Sequence, residues 1–518
     1  MEIQIIRGGS RIVVTGAGGL PLPPMLKSRL EDYLQYEHIY QKHGQFHKVE
    51  KKLVYLHWYD RSGRFTCSPG WESRISATAA SIGHQVRVLA PRRAFPHPRP
   101  NRHDVDWERG LAALGEVRPD QPEVLRAIAE APHGRGTIVA PPGIGKSRII
   151  RAAAAAYKNA QIHVVAPSKQ LVQQLHDDIS EVIPRVGMVC GGCKRFGRVT
   201  VVSADSLSHV CYDSEDSDRY ADIVLGDEGH LLVSQRRSEW MSLYRDDVRL
   251  FLFTASPTGR SDGSDKLLEA IGGPIIYRIS YQHSVESGLV VPIIVDWLLI
   301  DSELDVSEIS NPVAKLRHGI WRHAARNQAF ARRVREFDSD TSVLMLVETI
   351  EHGAHLKGLL PEYTLLYDTL SSTRYDRYVR QNLLSSTADP PMTKELLRTH
   401  MANLRSGKLK KVIALRTLLG TGVDAPHLAV VVRVDALNSE IASVQLPGRS
   451  SRLYDGKKYG LVIDGIDVWD ASFQRRSENR SRVYKKQGWQ QLNWEARAAY
   501  RKKLPKYTDQ PMLPGLED

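Results

Sequence analysis

The chain has 518 residues, of which 42% are hydrophobic and 25% are charged. This balance is typical of folded globular proteins and excludes extensive disorder, and the length corresponds to about three or four domains. Lys and Arg number 71 against 59 Asp and Glu, which gives a formal charge of +12 and favours a polyanionic partner.

Two further classes of protein are excluded. No apolar run approaches the roughly 18–20 residues of a membrane span, so we expect no membrane partner. The first residues do not have the layout of a secretory signal, and four cysteines are too few for a disulfide framework. We therefore expect a cytoplasmic protein, in a bacterium or a phage-infected host, and the sequence specifies no oligomeric state.

The basic excess lies at the two ends of the chain. Residues 1–110 hold 17 Lys and Arg against 10 Asp and Glu, and residues 471–518 hold 11 against 5. The body between them is nearly neutral. This distribution places the candidate polyanion-binding surfaces outside the central part of the chain.

Residues 1–89 mix strand-like and helix-like stretches. Strands are predicted within Ile3–Val14 and Leu53–Tyr59, and helices over Met25–Tyr40 and Glu72–Ile82. We expect a small basic α+β domain whose charge favours a polyanionic partner. Four prolines, three of them at alternate positions, then make residues 90–106 a Pro/Arg-rich linker.

Residues 107–290 and 291–470 each alternate short β-branched runs with helical stretches, as buried parallel strands with crossover helices do. The predicted strands are Gly136–Ala140, His163–Ala166, Val199–Val202, Asp222–Leu225, Leu250–Phe253, Ser342–Val347, Tyr363–Tyr367, Lys411–Ala414, Ala429–Val434 and Tyr459–Ile463. The predicted fold class is therefore α/β, with two tandem parallel-sheet domains between the N-terminal domain and a basic, helical C-terminal extension at residues 471–518.

A phosphate-binding loop is predicted between a strand and a helix. Its sequence is Ala140-Pro-Pro-Gly-Ile-Gly-Lys-Ser147. Gly143 and Gly145 allow backbone N–H groups to turn toward phosphates, and the helix N-terminus adds positive partial charge. Lys146 can reach the β- and γ-phosphates, and the Ser147 hydroxyl can bind Mg²⁺. The predicted nucleotide-binding residues here are Pro142, Gly143, Ile144, Gly145, Lys146, Ser147 and Arg148.

A pair of carboxylates follows the strand at Asp222–Leu225. In a parallel sheet, Asp227 and Glu228 would face the same crevice as the phosphate loop. Asp227 is predicted to hold Mg²⁺ and Glu228 to polarise the attacking water.

Two arginines lie three residues apart in the second domain. On a helix, Arg449 and Arg452 would share one face. A guanidinium contributed across a domain cleft suits the charge that develops on a transferring phosphoryl group. We therefore predict that both arginines are catalytic.

These motifs, in this order, resemble those of superfamily 2 helicases and translocases, over about residues 117–490. The resemblance implies two RecA-like domains, with ATP and Mg²⁺ bound between them. Arg118-Pro-Asp-Gln121 resembles the adenine-recognition element, which implies that Arg118 and Gln121 bind ATP. Gly420-Thr-Gly-Val-Asp-Ala-Pro426 resembles motif V, which implies the same for Gly422 and Asp424.

The resemblance also implies coupling and nucleic-acid-binding residues. His230 of the Asp-Glu-x-His box, Thr254 and Ser256 of motif III, and Gln445 of motif VI would link hydrolysis to movement. Nucleic-acid contacts are implied for Pro167, Ser168 and Lys169 in motif Ia, Ser203 after the next strand, and Thr421 in motif V. The sequence departs from the family pattern at Gly229, where Ala or Cys is commoner, and at Leu415-Arg-Thr417, where Ala-Thr is usual.

Within the superfamily, Arg118-Pro-Asp-Gln121 and the stretch Tyr454-Asp-Gly-Lys-Lys-Tyr459, followed by Ile463-Asp464, most resemble the phage UvsW-type and XPB-like DNA helicases. The small basic N-terminal domain resembles in its placement the duplex-binding domain of UvsW-type proteins, which implies that residues 1–89 bind DNA. That likeness implies an ATP-dependent DNA helicase or translocase acting on branched DNA in replication, recombination or repair, with an RNA:DNA hybrid as a further partner. Three alternatives stay open, namely an RNA helicase, the motor of a restriction system, and an ATP-gated binding or loading factor that does not unwind.

Two other features have alternative interpretations. Cys190 and Cys193, with His209 and Cys211, have partial zinc spacing, but Gly191-Gly192 between them also suits a hairpin turn. In the C-terminal extension, aromatic and basic residues interleave. They predict either base stacking with phosphate contacts or helices that pack back onto the motor.

Overall fold

The computed structural model describes residues 1–7, 11–41, 49–89, 101–210, 221–233, 237, 239, 241, 244, 248–257, 264–300, 302–386, 390–419 and 425–497. The predicted linker lies mostly outside these residues, as do Cys211 and the motif V positions Thr421, Gly422 and Asp424. In the described part of the chain, no helix is both long and apolar enough for a membrane span.

The N-terminal region forms one five-stranded sheet and a separate hairpin, with order β5-β6-β2-β1-β7 in the sheet and β3 paired to β4 in the hairpin. Its elements are β1 Glu2–Arg7, β2 Ile12–Gly16, α1 Pro24–Tyr33, β3 Gln35–Gln41, β4 Val49–Tyr55, β5 His57–Tyr59, β6 Phe65–Cys67, α2 Glu72–Ser81 and β7 Gln85–Leu89. Alternate residues such as Ile3, Ile5 and Val14 face its core, as period-two strands require.

Two predictions in this region are wrong in detail. The helix predicted over Met25–Tyr40 ends at Tyr33, since the chain from Gln35 pairs as β3 with β4. The strand predicted over Leu53–Tyr59 divides at Leu56 into strands of two different sheets. In both places long-range strand pairing overrides the local pattern.

The first α/β domain contains an eight-stranded sheet with order β11-β10-β12-β9-β13-β14-β8-β15. Its strands are β8 Arg135–Val139, β9 Ile162–Ala166, β10 Gly187–Cys190, β11 Cys193–Arg195, β12 Val199–Ser203, β13 Ile223–Gly226, β14 Arg249–Thr254 and β15 Ile275–Arg278. Its helices are α3 Trp107–Leu114, α4 Gln121–Glu130, α5 Lys146–Ala156, α6 Lys169–Ser180, α7 Gly229–Leu232, α8 Lys266–Gly272 and α9 Tyr281–Glu286. Only the β10–β11 pair is antiparallel among the described pairs of this sheet.

The second α/β domain contains a seven-stranded parallel sheet with order β18-β19-β17-β20-β21-β16-β22. Its strands are β16 Ile293–Ile300, β17 Val343–Val347, β18 Thr364–Leu366, β19 Lys411–Leu415, β20 Val430–Arg433, β21 Gly460–Asp467 and β22 Gln490–Leu492. Its helices are α10 Pro312–Leu316, α11 Ala324–Arg335, α12 Ile350–Leu359, α13 Ser372–Arg380, α14 Lys394–Ser406, α15 Arg416–Leu419, α16 Glu440–Gln445 and α17 Ala471–Lys486. The predicted fold class, two RecA-like parallel-sheet domains in tandem, is confirmed.

The described part of the C-terminal extension packs onto the second domain. Strand β22 pairs with β16, and the side chains of Tyr484 and Trp489 are buried. Arg480 of α17 is fully buried and bonds Asp464 of β21 through Nε and Nη2, both at 2.9 Å. Of the two interpretations, packing onto the motor therefore applies to this segment.

The N-terminal domain is docked onto helix α8 of the first α/β domain. Lys266 donates to the carbonyl oxygens of Tyr33 and Gln35 at 2.7 and 2.9 Å, and Arg74 forms an ion pair with Glu269 at 2.9 Å. The two backbones approach so closely that a Cβ built on Gly70 would lie 2.2 Å from the Glu269 carbonyl oxygen. These contacts fix the N-terminal domain against the motor.

Candidate nucleotide-binding cleft

The phosphate loop connects β8 to α5, as its sequence predicts. Gly143 and Gly145 have φ values of +94° and +89°, a region that side-chain-bearing residues rarely adopt. Gly145 caps helix α5, whose first residues are Lys146 and Ser147. Lys146 Nζ lies 3.4 Å from the Ala140 carbonyl oxygen, so its ammonium is folded over the loop it belongs to.

Arg118 and Gln121, the residues of the predicted adenine-recognition element, are hydrogen-bonded to the phosphate loop. Gln121 is 1% exposed, and its side-chain amide donates to the Ile144 carbonyl oxygen at 3.3 Å and accepts from the Arg118 N–H at 3.0 Å. The Arg118 guanidinium donates to the Gly143 carbonyl oxygen at 3.1 Å. Burial and the nearby Arg148 lower the pKa of Arg118. Gln121 thus holds the phosphate loop through its side-chain hydrogen bond, and Arg118 lines the cleft.

The two carboxylates lie at the end of β13, opposite the loop. Asp227 is 4% exposed, and its Oδ1 accepts the Glu228 N–H at 2.9 Å. Burial and the charge of Glu228 raise the pKa of Asp227 to about 7, while Lys146 opposes that shift. Glu228 has φ +48°, and its buried Oε2 has no hydrogen-bond partner. A strained backbone therefore holds an unsatisfied carboxylate oxygen in the cleft.

Gly229, the departure in the Asp-Glu-x-His box, has a packing reason. A Cβ at this position would lie 2.9 Å from Leu252 Cβ on β14 and 3.4 Å from Leu268 Cδ1 on α8. Because Leu252 is buried, the carboxylate segment and β14 cannot approach this closely around a larger residue. Gly229 thus lets the carboxylate segment pack against β14.

His230 connects the two α/β domains. Its Nδ1 lies 3.0 Å from Thr254 Oγ1, and Gln445 Nε2 of the second domain lies 2.9 Å from its Nε2. Thr254 Oγ1 in turn donates to the Ser256 carbonyl oxygen and accepts the Ser256 N–H. The four predicted coupling residues therefore form one hydrogen-bonded chain across the cleft.

The two arginines reach the cleft, but not from an α-helix. Arg449 lies in a short 3-10 helix, Pro447–Ser451, and Arg452 follows it in extended backbone. The predicted helical face is wrong, because Pro447 and Gly448 interrupt the helix that ends at Gln445. Burial lowers the pKa of Arg449 and of Arg452 to about 10 each, and the charge of Glu228 opposes the shift of Arg449.

The domains meet directly at the phosphate loop. A Cβ on Gly448 would lie 3.1 Å from Pro142 Cγ, and one on Gly143 would lie 3.5 Å from Arg452 Cγ. Between the domains lies a cavity of about 500 Å³. The predicted residues that line it are Arg118, Pro142, Gly143, Gly145, Lys146, Ser147, Arg148, Asp227, Glu228, Gln445, Arg449 and Arg452. The structure thus brings together loop, carboxylates and arginines from both domains.

The other predicted residues that the structure describes are not among those that line the cavity. Ile144 is buried beneath the loop. Among the predicted nucleic-acid contacts, Pro167 and Ser203 are buried and Lys169 is exposed, at the same sheet edge as the cleft. Ser168 caps helix α6 through its side chain.

Several residues at the site were not predicted as site residues from the sequence. The α6 side chains Leu171, Gln174 and Asp178 line the cavity, as do Pro426 and Leu453 of the second domain. Arg237 donates to the Pro167 carbonyl oxygen at 3.2 Å and to Asp205 at 3.0 Å. Only the three-dimensional fold brings these separate segments together.

The zinc interpretation has no support in the described residues. Cys190 and Cys193 face each other across the β10–β11 hairpin, whose turn glycines have φ values of +58° and +94°. Among the residues described, no three His, Cys, Asp or Glu side chains are grouped to hold a metal ion. The hairpin interpretation therefore accounts for this stretch.

The chain was compared with known proteins. Residues 114–259 match the family model described as type III restriction enzyme, res subunit. Among curated proteins nothing matches. The structure is similar to that of the restriction-modification enzyme LlaBIII bound to DNA, with TM-score 0.51 and 13% identity over 80% of this chain and 34% of that one.

Two other solved structures match more of their own length. Bacteriophage T4 UvsW has TM-score 0.38 and 14% identity, over 95% of this chain and 99% of its own. A putative HsdR subunit of a type I restriction enzyme from Vibrio vulnificus has TM-score 0.47 and 18% identity, over 84% of this chain and 89% of its own. The family match over residues 114–259, together with the ordered motifs and the two parallel-sheet domains, supports a DEAD/DEAH-like helicase of superfamily 2.

Proposed function

We propose that the chain is an ATP-dependent DNA translocase or helicase that acts on branched DNA, with ATP bound in the cleft between the two α/β domains. One observation carries this proposal: Arg449 and Arg452 of the second domain line the same cavity as Lys146, Asp227 and Glu228 of the first. A site assembled from two domains makes hydrolysis depend on their closure.

The residues fit ATP and Mg²⁺. Ser147 and Asp227 supply the hydroxyl and carboxylate oxygens that Mg²⁺ prefers, and Glu228 Oε2, which lies 3.6 Å from His230 Nδ1, makes no hydrogen bond and can accept one. Ser147 and Asp227 would hold Mg²⁺, which neutralises phosphate charge when bound. Lys146 and the loop N–H groups would bind the phosphates, and Glu228 would orient the attacking water.

Arg449 and Arg452 would make ATP hydrolysis depend on closure of the two domains. Arg449 and Arg452 would stabilise the charge that develops on the γ-phosphoryl group. Gln445, His230, Thr254 and Ser256 are joined by hydrogen bonds. Through these bonds, opening and closing of the cleft would move the strand ends that carry Ser168 and Ser203. Alternating grip at these ends and at the motif V stretch, Thr421 included, would move the protein along DNA.

The DNA substrate is proposed from charge and resemblance. The N-terminal domain is basic and docked on α8, so it would hold duplex beside the moving strand, and the LlaBIII structure contains DNA. The match to a restriction-enzyme family model favours a second candidate, the motor of a restriction system.

The test is ATP hydrolysis measured with single-stranded DNA, duplex, a fork, a four-way junction and an RNA:DNA hybrid. Strongest stimulation by the fork or junction supports the proposal. Equal stimulation by plain duplex, with no strand displacement from a fork, favours the restriction motor. Hydrolysis with no displacement on any substrate favours a loading factor, and stimulation by RNA alone contradicts a DNA substrate.

A further inference from the structure

Two separate segments form the apolar part of the second domain's cavity wall. Pro426 is the last residue of the motif V stretch, and Leu453 directly follows Arg452. Leu453 is 44% exposed, although it is a large apolar residue. An apolar wall opposite phosphate-binding cations is the arrangement that a nucleotide requires, since its base and ribose are far less polar than its phosphates.

A tight turn brings these segments together. The Lys457 N–H donates to the Tyr454 carbonyl oxygen at 3.0 Å, and Gly456 within the turn has φ +72°. The turn directs the Lys457 side chain back toward the motif V segment. There its Nζ donates to the carbonyl oxygens of Pro426 at 3.1 Å and Leu428 at 2.7 Å.

A second contact joins the same two segments. The His427 ring, between the two bonded carbonyl groups, packs edge-on against Tyr454 with ring centroids 6.1 Å apart. The Tyr454 side chain is 56% exposed, so this ring contact shields little surface. The two Lys457 hydrogen bonds are therefore the stronger part of the connection.

Placing the Lys457 ammonium between the two segments removes part of its hydration, which costs free energy. Its burial, together with the charge of Arg452, lowers the pKa of Lys457 to about 8. A methionine has a similar length and would fill the same space without the cost of burying a cation. The side chain therefore contributes position to the cavity wall more than it contributes stability to the fold.

We propose that Lys457 is a positioning residue for the nucleotide: it holds Pro426 and Leu453 as one apolar surface against which the bound nucleotide closes. The proposal rests on the proposed function, since it assigns a role within the same cleft. Without Lys457, the Leu453 segment would move independently of Pro426, and the nucleotide would lose contact with one or both.

The test compares Lys457→Met with Lys458→Met in the full chain. Lys458 is the exposed neighbour and serves as the matched control. We expect Lys457→Met to raise the KM for ATP on the order of tenfold, the effect of losing a charged hydrogen bond, and to leave kcat within about twofold. Its thermal midpoint should fall by no more than about 2–4 °C, because the lost hydrogen bonds come from a side chain that is only partly buried.

The outcomes separate the proposals. An unchanged KM in Lys457→Met, with wild-type hydrolysis intact, contradicts the positioning role alone. A larger fall in the thermal midpoint, with lowered kcat at unchanged KM, shows that Lys457 is merely structural. A wild-type chain that neither hydrolyses nor binds ATP contradicts the proposed function, and with it this inference.

Discussion

Replacement of Arg480 tests whether the C-terminal helix belongs to the second domain. Arg480 is fully buried, and it bonds both carboxylate oxygens of Asp464 and the carbonyl oxygens of Ala436 and Gly465. Arg480→Met fills a similar space but removes the cation. Asp464 then keeps only the Tyr484 hydroxyl at 2.8 Å and the Gly465 N–H at 2.7 Å.

The expected cost follows from the charge left behind. Breaking a buried ion pair by removing one partner costs about 3–5 kcal/mol, because the remaining carboxylate loses its bonded counter-charge. The charge of the buried Arg433, which also acts on Asp464, places the cost toward the lower end of this range. Burial and Asp464 already raise the pKa of Tyr484, so its hydroxyl stays protonated and donates to Asp464 without supplying a charge. We therefore expect a loss of about 3–5 kcal/mol in the free energy of unfolding.

Urea unfolding measures this loss. Trp297 and Trp489 are buried beside Arg480 and Tyr484, so tryptophan fluorescence reports on this region. The matched control is Arg482→Met on the same helix, where the side chain is exposed and the cost should stay within about 0.5 kcal/mol. If the two variants unfold at the same urea concentration, the helix is not an integral part of the domain.

Three further substitutions test the cleft and the docked domain. Gly229→Ala should lower the free energy of unfolding by about 1–3 kcal/mol, because the added methyl group overpacks against Leu252, and it should lower ATP turnover. An unchanged melting temperature would show that the neighbouring side chains accommodate the methyl group without cost. Gly70→Val should undock the N-terminal domain from Glu269 and speed its release by limited proteolysis, and wild-type protease resistance would contradict the docking. Glu228→Gln should bind ATP normally but hydrolyse it about 10²–10⁴-fold more slowly; wild-type turnover would exclude Glu228 as the group that activates water.

The sequence predicts the motor's central strands well, because each is a short β-branched run buried on both faces. It does not reveal the first strand of the second sheet, β16, or the added edge strand β22, whose places depend on pairing with distant segments. The helix over Met25–Tyr40 is too long for the same reason. Local pattern identifies an element but not its long-range partner.

Residue types with a defined chemistry are found at the cleft where the motifs place them. Lys146, Asp227 and Arg449 line one cavity, although the backbone that carries Arg449 is not the expected α-helix. Lys457 and Arg237 were not predictable, because they act through hydrogen bonds to carbonyl groups of segments distant in sequence. Such contacts require no particular residue spacing.

The central claim is that ATP is hydrolysed in the cleft between the two domains and that DNA drives this hydrolysis. The most direct measurement is the rate of ATP hydrolysis, with and without forked DNA, for wild type, Lys146→Ala and Arg449→Ala. We predict DNA-stimulated hydrolysis in wild type and its loss in both variants, since each domain contributes a required group. Wild-type rates in Lys146→Ala would contradict the site, and wild-type rates in Arg449→Ala would contradict its assembly from two domains.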